Sequence, residues 1–137
     1  MALDALLLLA SAAIIGLLGA IHLLYTFHGP KLTPRDDELR RRMEQVAPVL
    51  TRDTTMWKTW IGFNASHSLG ALLFAAVFGW LALAQPALAF SSRYLQGLGL
   101  AFLLAWLWLG WRYWFRIPLG GIAIALASFV AAIALGR

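Results

Sequence analysis

One face of a single predicted helix carries side chains with acid–base, hydrogen-bonding and aromatic chemistry. These residues follow the alternating three- and four-residue spacing of a helix face: Trp57, Trp60, Asn64 and His67, with Ser68 one turn beyond Asn64. An imidazole exchanges a proton near neutral pH, so His67 is the candidate acid–base residue. Asn64 and Ser68 could orient a polar ligand by hydrogen bonding. Trp57 and Trp60 could wall the mouth of a pocket.

Residues from two other apolar segments are candidates to join this polar face. His22 lies about a turn and a half before the end of the first segment, and Tyr25 follows one turn later. Arg112 lies close to the end of the third segment. Because polar groups inside a membrane must face partners or a wet cavity, we expect these residues to converge with Asn64, His67 and Ser68. His22 would then be the catalytic partner of His67, Arg112 would hold an anionic head group, and Tyr25 would contact the ligand.

Four long apolar stretches position these residues. Of the 137 residues, 61% are hydrophobic and 12% are charged, whereas a soluble domain carries about a quarter charged residues. A bilayer core needs roughly 20 helical residues. The stretches long enough for this are residues 5–27, 57–84, 94–115 and 117–135. We therefore expect an all-α integral membrane four-helix bundle that forms a single domain over residues 1–137, its first span retained as an anchor. The composition excludes intrinsic disorder, and the lack of cysteine excludes a disulfide scaffold.

The cations predict the orientation of these spans. With an even number of spans, both termini share one side with Arg93 and Arg137. The other side holds nine cations: Lys31, Arg35, Arg40, Arg41, Arg42, Arg52, Lys58, Arg112 and Arg116. The positive-inside rule then places loop 28–56 in the cytoplasm and both termini outside the inner membrane. Five of the six acidic residues lie on the same side as the nine cations, so we expect no nucleic-acid partner despite the net charge of +5.

The cytoplasmic loop contains a predicted helix. The segment Thr33-Pro34-Arg35-Asp36 has the order of an N-cap, a proline at the first helical position and an acid at the third. Apolar residues then recur at helical spacing, at Leu39, Met43, Val46 and Leu50. We expect a short, basic amphipathic helix that ends or kinks near Pro48. It would either lie on the lipid headgroups or pack on the mouth of the bundle.

A second face of span two carries small residues. Gly62, Ser66 and Gly70 are four residues apart, a small-xxx-small stripe that lets a neighbouring helix approach closely. We expect this stripe to serve helix packing.

The sequence resembles a family of small four-helix bacterial membrane proteins whose function is not established. The resemblance rests on the run Thr54–Gly70, on His22-Leu-Leu-Tyr25 and on Pro34-Arg-Asp, and it covers most of the chain. Its distinctive motif is Trp-x-x-Trp-Ile-Gly-Phe-Asn-x-Ser-His-Ser. The resemblance implies a bacterial inner-membrane origin and no particular activity.

The architecture is also distantly similar to that of the membrane-associated proteins in eicosanoid and glutathione metabolism. Those proteins are of similar size, with four helices, outside termini, a long cytoplasmic first loop and a trimeric assembly. Their second helix binds glutathione through an Arg…Asn-x-x-Glu pattern. Asn64 matches the Asn, but His67 stands in place of the Glu and Trp60 in place of the Arg. These two departures argue against glutathione binding.

These observations favour a polar pocket at the cytoplasmic side that binds, and in one version transforms, an amphipathic small molecule such as a lipid, quinone or thiol conjugate. Whether the chain is an enzyme stays open at this point, as do the cofactor and the choice between a homo-oligomer and a larger complex. One alternative is an accessory or scaffolding subunit of a larger membrane complex. The other is a haem protein with His22 and His67 as axial ligands. No other metal site is expected, because no Cys or carboxylate accompanies these histidines inside the membrane.

Overall fold

The computed structural model describes residues 1–136, and the secondary structure of this part is helical without any strand. The six helices are α1 (Leu3–Phe27), α2 (Asp37–Gln45), α3 (Met56–Ala84), α4 (Pro86–Ser91), α5 (Arg93–Tyr113) and α6 (Arg116–Leu135). By length and composition, α1, α3, α5 and α6 can each span a membrane. The predicted all-helical class with four apolar spans and a short loop helix is confirmed. Each span begins and ends within two residues of the predicted positions.

Contacts divide the chain into two compact units. The first comprises Met1–Leu18 and the chain from Ala71 onward, and an apolar core stabilises it. Aliphatic side chains surround a group of aromatic rings in this core: the Phe78 and Phe129 rings meet edge to face at 5.2 Å, and the Phe74 and Phe102 rings stack at 4.9 Å. Aromatic pairs of this geometry add to the packing energy of the unit.

Small residues let two helix segments of this first unit approach closely. A Cβ atom added to Gly16 in α1 would lie only 2.8 Å from the Cβ atom of Ala75 in α3. Glycine therefore allows a contact distance that a larger side chain would forbid, as is common between helices in membranes.

The second unit, Gly19–Gly70, contains the end of α1, the connecting loop with α2, and the start of α3. Gly29, with φ of +80°, reverses the chain two residues after α1 ends, a conformation that favours glycine. The Thr33 hydroxyl then donates to the Pro30 carbonyl at 2.7 Å. The N-cap of α2 is Asp36, whose carboxylate accepts from the backbone N–H groups of Glu38 and Leu39 at 2.8 and 3.3 Å. The prediction of Thr33 as N-cap is therefore wrong, because this hydroxyl closes the preceding turn instead.

The end of α2 also differs from the prediction. The helix ends at Gln45, and Val46 serves as its C-cap, so the apolar stripe does not continue to Leu50. The backbone N–H of Met56 donates to the Val46 carbonyl at 2.8 Å, which ties the end of α2 to the start of α3. No residue of α2 is buried. Its position, on the lipid headgroups or on the mouth of the bundle, stays a prediction.

The remaining connections are short. Residues 85–93 contain the unpredicted helix α4, which begins with Pro86 at its first position. The corner between α5 and α6 is formed by Trp114 and Phe115. Pro118 lies in the first turn of α6, where its missing N–H costs little.

Candidate functional site

A hydrogen-bonded pair joins α1 and α3 within the second unit. The Nε2 atom of His22 lies 2.8 Å from Oδ1 of Asn64, and Nδ2 of Asn64 donates to the carbonyl of Trp60 at 2.8 Å. Since the amide nitrogen of Asn64 is engaged with a carbonyl, its oxygen faces His22 and the imidazole must donate through Nε2. The pair therefore sets the ring orientation and the tautomer of His22.

The two histidines assigned as an acid–base pair are brought together. The ring centroids of His22 and His67 lie 5.1 Å apart with an angle of 67° between the rings, which is an edge-to-face contact. Rings in direct contact leave no space for a macrocycle between them, so this geometry disfavours a haem held by both residues. Among the described residues, no group of three His, Cys, Asp or Glu side chains is placed to hold a metal ion.

Two hydroxyl groups near this pair bond to the carbonyls of their own helices. Ser68 is fully buried, and its Oγ donates to the Asn64 carbonyl at 3.0 Å. Thr26 is also buried and donates to the His22 carbonyl at 2.8 Å. Such bonds satisfy a hydroxyl inside an apolar helix. In this conformation the Ser68 side chain is therefore not accessible to a ligand, which its predicted role requires.

The open space of this unit is a cleft of about 350 Å³, lined by the end of α1, the loop that follows it, α2 and the start of α3. Of the predicted site residues, Tyr25 and Trp57 line the cleft. His22, Asn64, His67 and Ser68 are not among its lining residues. The complete lining is Tyr25, Thr26, Phe27, Gly29, Pro30, Leu32, Thr33, Arg40, Trp57 and Ile61. The predicted pocket thus separates into a polar helix–helix contact and an aromatic cleft.

Arg40 is a lining residue that the sequence did not single out. Its guanidinium carbon lies 5.1 Å from the centre of the Trp57 ring, within range of a cation–π interaction. Its Nε atom also lies 3.3 Å from Oε1 of Glu44, one turn further along α2. No sequence pattern distinguishes Arg40 from Arg41 and Arg42, which follow it directly. Only the path of the loop places it beside Trp57.

Trp60 contributes to the cleft indirectly. Its indole Nε1 donates to the Leu32 carbonyl at 2.9 Å, and Leu32 lines the cleft although Trp60 does not. The indole therefore fixes the loop against α3 instead of forming the predicted wall.

The other predicted ligand contact, Arg112, lies near the end of α5 and is exposed. Its guanidinium carbon lies 5.3 Å from the centre of the Tyr113 ring. Arg112 belongs to the first unit, whereas the residues that line the cleft belong to the second.

The small-residue stripe of α3 is uncovered. Gly62 and Ser66 are exposed, and a Cβ atom added to Gly62 or Gly70 would meet no other described atom within 4 Å. The predicted packing role of this stripe is therefore not used inside the described chain.

The first unit has a cleft of its own, of about 720 Å³, where α4 meets the start of α1 and the end of α3. Its polar lining includes Asp4, whose Oδ1 accepts from the Ala5 backbone N–H at 2.7 Å. Asp4 lies in the first turn of α1, where a carboxylate stabilises a helix.

The smaller cleft combines aromatic rings, hydroxyl groups and one guanidinium. Sites with an apolar wall and a few placed polar groups suit small molecules, and about 300–1,000 Å³ is the usual volume of such sites.

Comparisons of the chain with protein-family models, curated proteins and solved structures found no match.

Proposed function

We propose that this chain is a multi-pass protein of a bacterial inner membrane that binds an amphipathic small molecule, such as a lipid, quinone or thiol conjugate. The observation that carries the proposal is the cleft of about 350 Å³, where Tyr25, Trp57 and Ile61 provide an apolar wall beside the guanidinium of Arg40. A molecule with an apolar tail and a polar head matches this division of the lining.

The charge distribution supports a cytoplasmic position for the cleft. In the four-span topology, the end of α1 and the start of α3 lie on the side that carries nine cations, against two on the other side. By the positive-inside rule this side faces the cytoplasm, and both termini face outward. The cleft would then open at the level of the inner-leaflet headgroups.

The geometry supports binding more directly than catalysis. The candidate acid–base residues His22 and His67 contact each other but do not line the cleft. We assign the His22–Asn64 pair to holding α1 and α3 in the arrangement that forms the cleft. Thr26 connects the two features, since it lines the cleft and donates to the His22 carbonyl.

Replacing Trp57 by alanine should reduce lipid retention about tenfold, because it removes the largest side chain that lines the cleft. Native mass spectrometry of the protein from dodecyl maltoside micelles, with dioleoylphosphatidylglycerol added, measures the bound fraction. Trp111→Ala is the matched control, since that indole is 71% exposed and does not line the cleft. Equal retention by the wild-type protein and Trp57→Ala would contradict the proposal.

A second candidate function, an accessory subunit of a larger membrane complex, is favoured by the uncovered stripe at Gly62, Ser66 and Gly70. If a partner helix occupies this stripe, Gly62→Leu should release a defined partner during purification in mild detergent. Gly97→Leu in α5 is the matched control, because that glycine also has open space around it. A homogeneous homo-oligomer without any partner, unchanged by Gly62→Leu, would argue against this function.

A further inference from the structure

We propose that the cleft recognises an oxyanion, a phosphate ester or a carboxylate, through Arg40, and so selects anionic amphiphiles over neutral ones. This inference rests on the proposed binding function and names the class of its ligand. The sequence predicted Arg112 as the anion-binding residue, whereas this inference assigns that role to Arg40 of α2.

The charge of the lining favours an anion. Arg40 is the one charged residue among those that line the cleft, and no carboxylate lines it. The Arg40 side chain is 45% exposed, so dissolved salt partly screens its attraction for an anion.

The guanidinium of Arg40 is oriented by two contacts. The Trp57 ring lies 5.1 Å from its central carbon, and Glu44 lies 3.3 Å from its Nε atom. Within the described chain its two terminal Nη groups make no hydrogen bond. These groups form the fork that binds carboxylate and phosphate oxygens in pairs. An oriented guanidinium with an unused fork is suited to hold an incoming oxyanion.

A second donor lines the same cleft. Tyr25 is a lining residue, and its phenol O–H is a good donor to an anionic oxygen. The aromatic body of Tyr25 and the side chain of Ile61 would contact the apolar part of the same molecule.

Glu44 is an internal competitor for the guanidinium. Its carboxylate partly neutralises Arg40, and a bound oxyanion would have to share the guanidinium with it. Removing the Glu44 charge should therefore strengthen anion binding. Such a gain cannot arise from misfolding, which makes Glu44→Gln an informative variant.

Arg41 provides a matched control on the same helix. Its Nη2 lies 2.6 Å from Oε2 of Glu38, its side chain is exposed, and it does not line the cleft. Arg41→Gln removes the same charge from α2 without touching the proposed site. A difference between Arg40→Gln and Arg41→Gln therefore reports the site and not the overall charge of the loop.

The experiment measures selection between two lipids that share acyl chains. The protein in dodecyl maltoside micelles receives equimolar dioleoylphosphatidylglycerol and dioleoylglycerol, and native mass spectrometry gives the ratio retained. We expect the wild-type protein to prefer the anionic lipid, and Arg40→Gln to lower this preference about tenfold while still retaining lipid. Arg41→Gln should keep the wild-type ratio, and Glu44→Gln should raise it.

The source of the oxyanion is tested in a separate arm with excess inorganic phosphate. Displacement of the anionic lipid by phosphate, absent in Arg40→Gln, would indicate a site for free phosphate compounds as well. Retention of the lipid against phosphate would indicate a headgroup site. An unchanged lipid ratio in both Arg40→Gln and Glu44→Gln would overturn the inference while leaving the binding function intact. If the wild-type protein retained neither lipid, this result would instead refute the binding function itself.

Discussion

Replacing Phe129 by alanine should lower the free energy of unfolding by about 3–5 kcal/mol, the range for truncating a fully buried aromatic ring. Phe129 is 1% exposed, and its ring contacts Phe78 and Phe74 at centroid distances of 5.2 and 6.2 Å. Its removal leaves a cavity at the centre of the aromatic core of the first unit. Unfolding in mixed micelles with increasing dodecyl sulfate, followed by tryptophan fluorescence, measures the loss.

Phe63→Ala is the matched control for this substitution, because the Phe63 side chain is 75% exposed and should cost far less. A second test uses Gly99, where an added methyl group would overlap the Phe129 and Phe78 rings. Gly99→Ala should cost about 1–3 kcal/mol by overpacking, and less than that in a Phe129→Leu background. Strictly additive effects of these two substitutions would contradict the close contact between Gly99 and Phe129.

The second large effect is expected at Asn64. Replacement by alanine should lower the free energy of unfolding by about 1–3 kcal/mol, because the Nε2–H of His22 loses its acceptor inside an apolar helix pair. The same change removes the bond from the amide to the Trp60 carbonyl. Since this pair joins the last turns of α1 to the first turns of α3, lipid retention in the cleft should fall as well.

The control for Asn64→Ala is Ser66→Ala, which removes a bond from the exposed Ser66 hydroxyl to the Phe63 carbonyl of the same helix. A double-mutant cycle with His22→Ala isolates the pair. We expect a coupling energy of about 0.6–2 kcal/mol, as found for hydrogen bonds between membrane helices. Zero coupling would show that His22 and Asn64 do not bond in the membrane.

The helices and the inward face of α3 could be predicted from the sequence, because hydropathy and helical spacing encode them locally. The predicted face of Trp57, Asn64 and His67 continues through Phe74 and Phe78, and both phenylalanines are buried in the core. The approach of His22 to Asn64 followed from their similar depth in antiparallel spans, since few other polar partners exist at that level.

The cleft could not be predicted, because its lining depends on the path of the loop. Arg40 reaches Trp57 only after the loop has turned at Gly29 and been fixed by the bond from Trp60 to Leu32. Such contacts join residues far apart in sequence and leave no periodic signal.

The start of α2 was misplaced for a different reason. Thr33 and Asp36 are both favoured N-cap residues, and the turn before the helix decides between them. Because the Thr33 hydroxyl is already bonded to the Pro30 carbonyl, Asp36 is the residue that caps α2.

The hydrogen bond from Trp60 to Leu32 gives the protein a built-in spectroscopic probe. The chain has seven tryptophans, and the indole N–H of Trp60 donates to the backbone of a residue that lines the cleft. Its proton resonance depends on that bond, so a molecule that enters the cleft and displaces the loop would shift the Trp60 signal. Nitrogen-15 labelling of the indoles would therefore follow cleft occupancy inside a micelle without any attached dye.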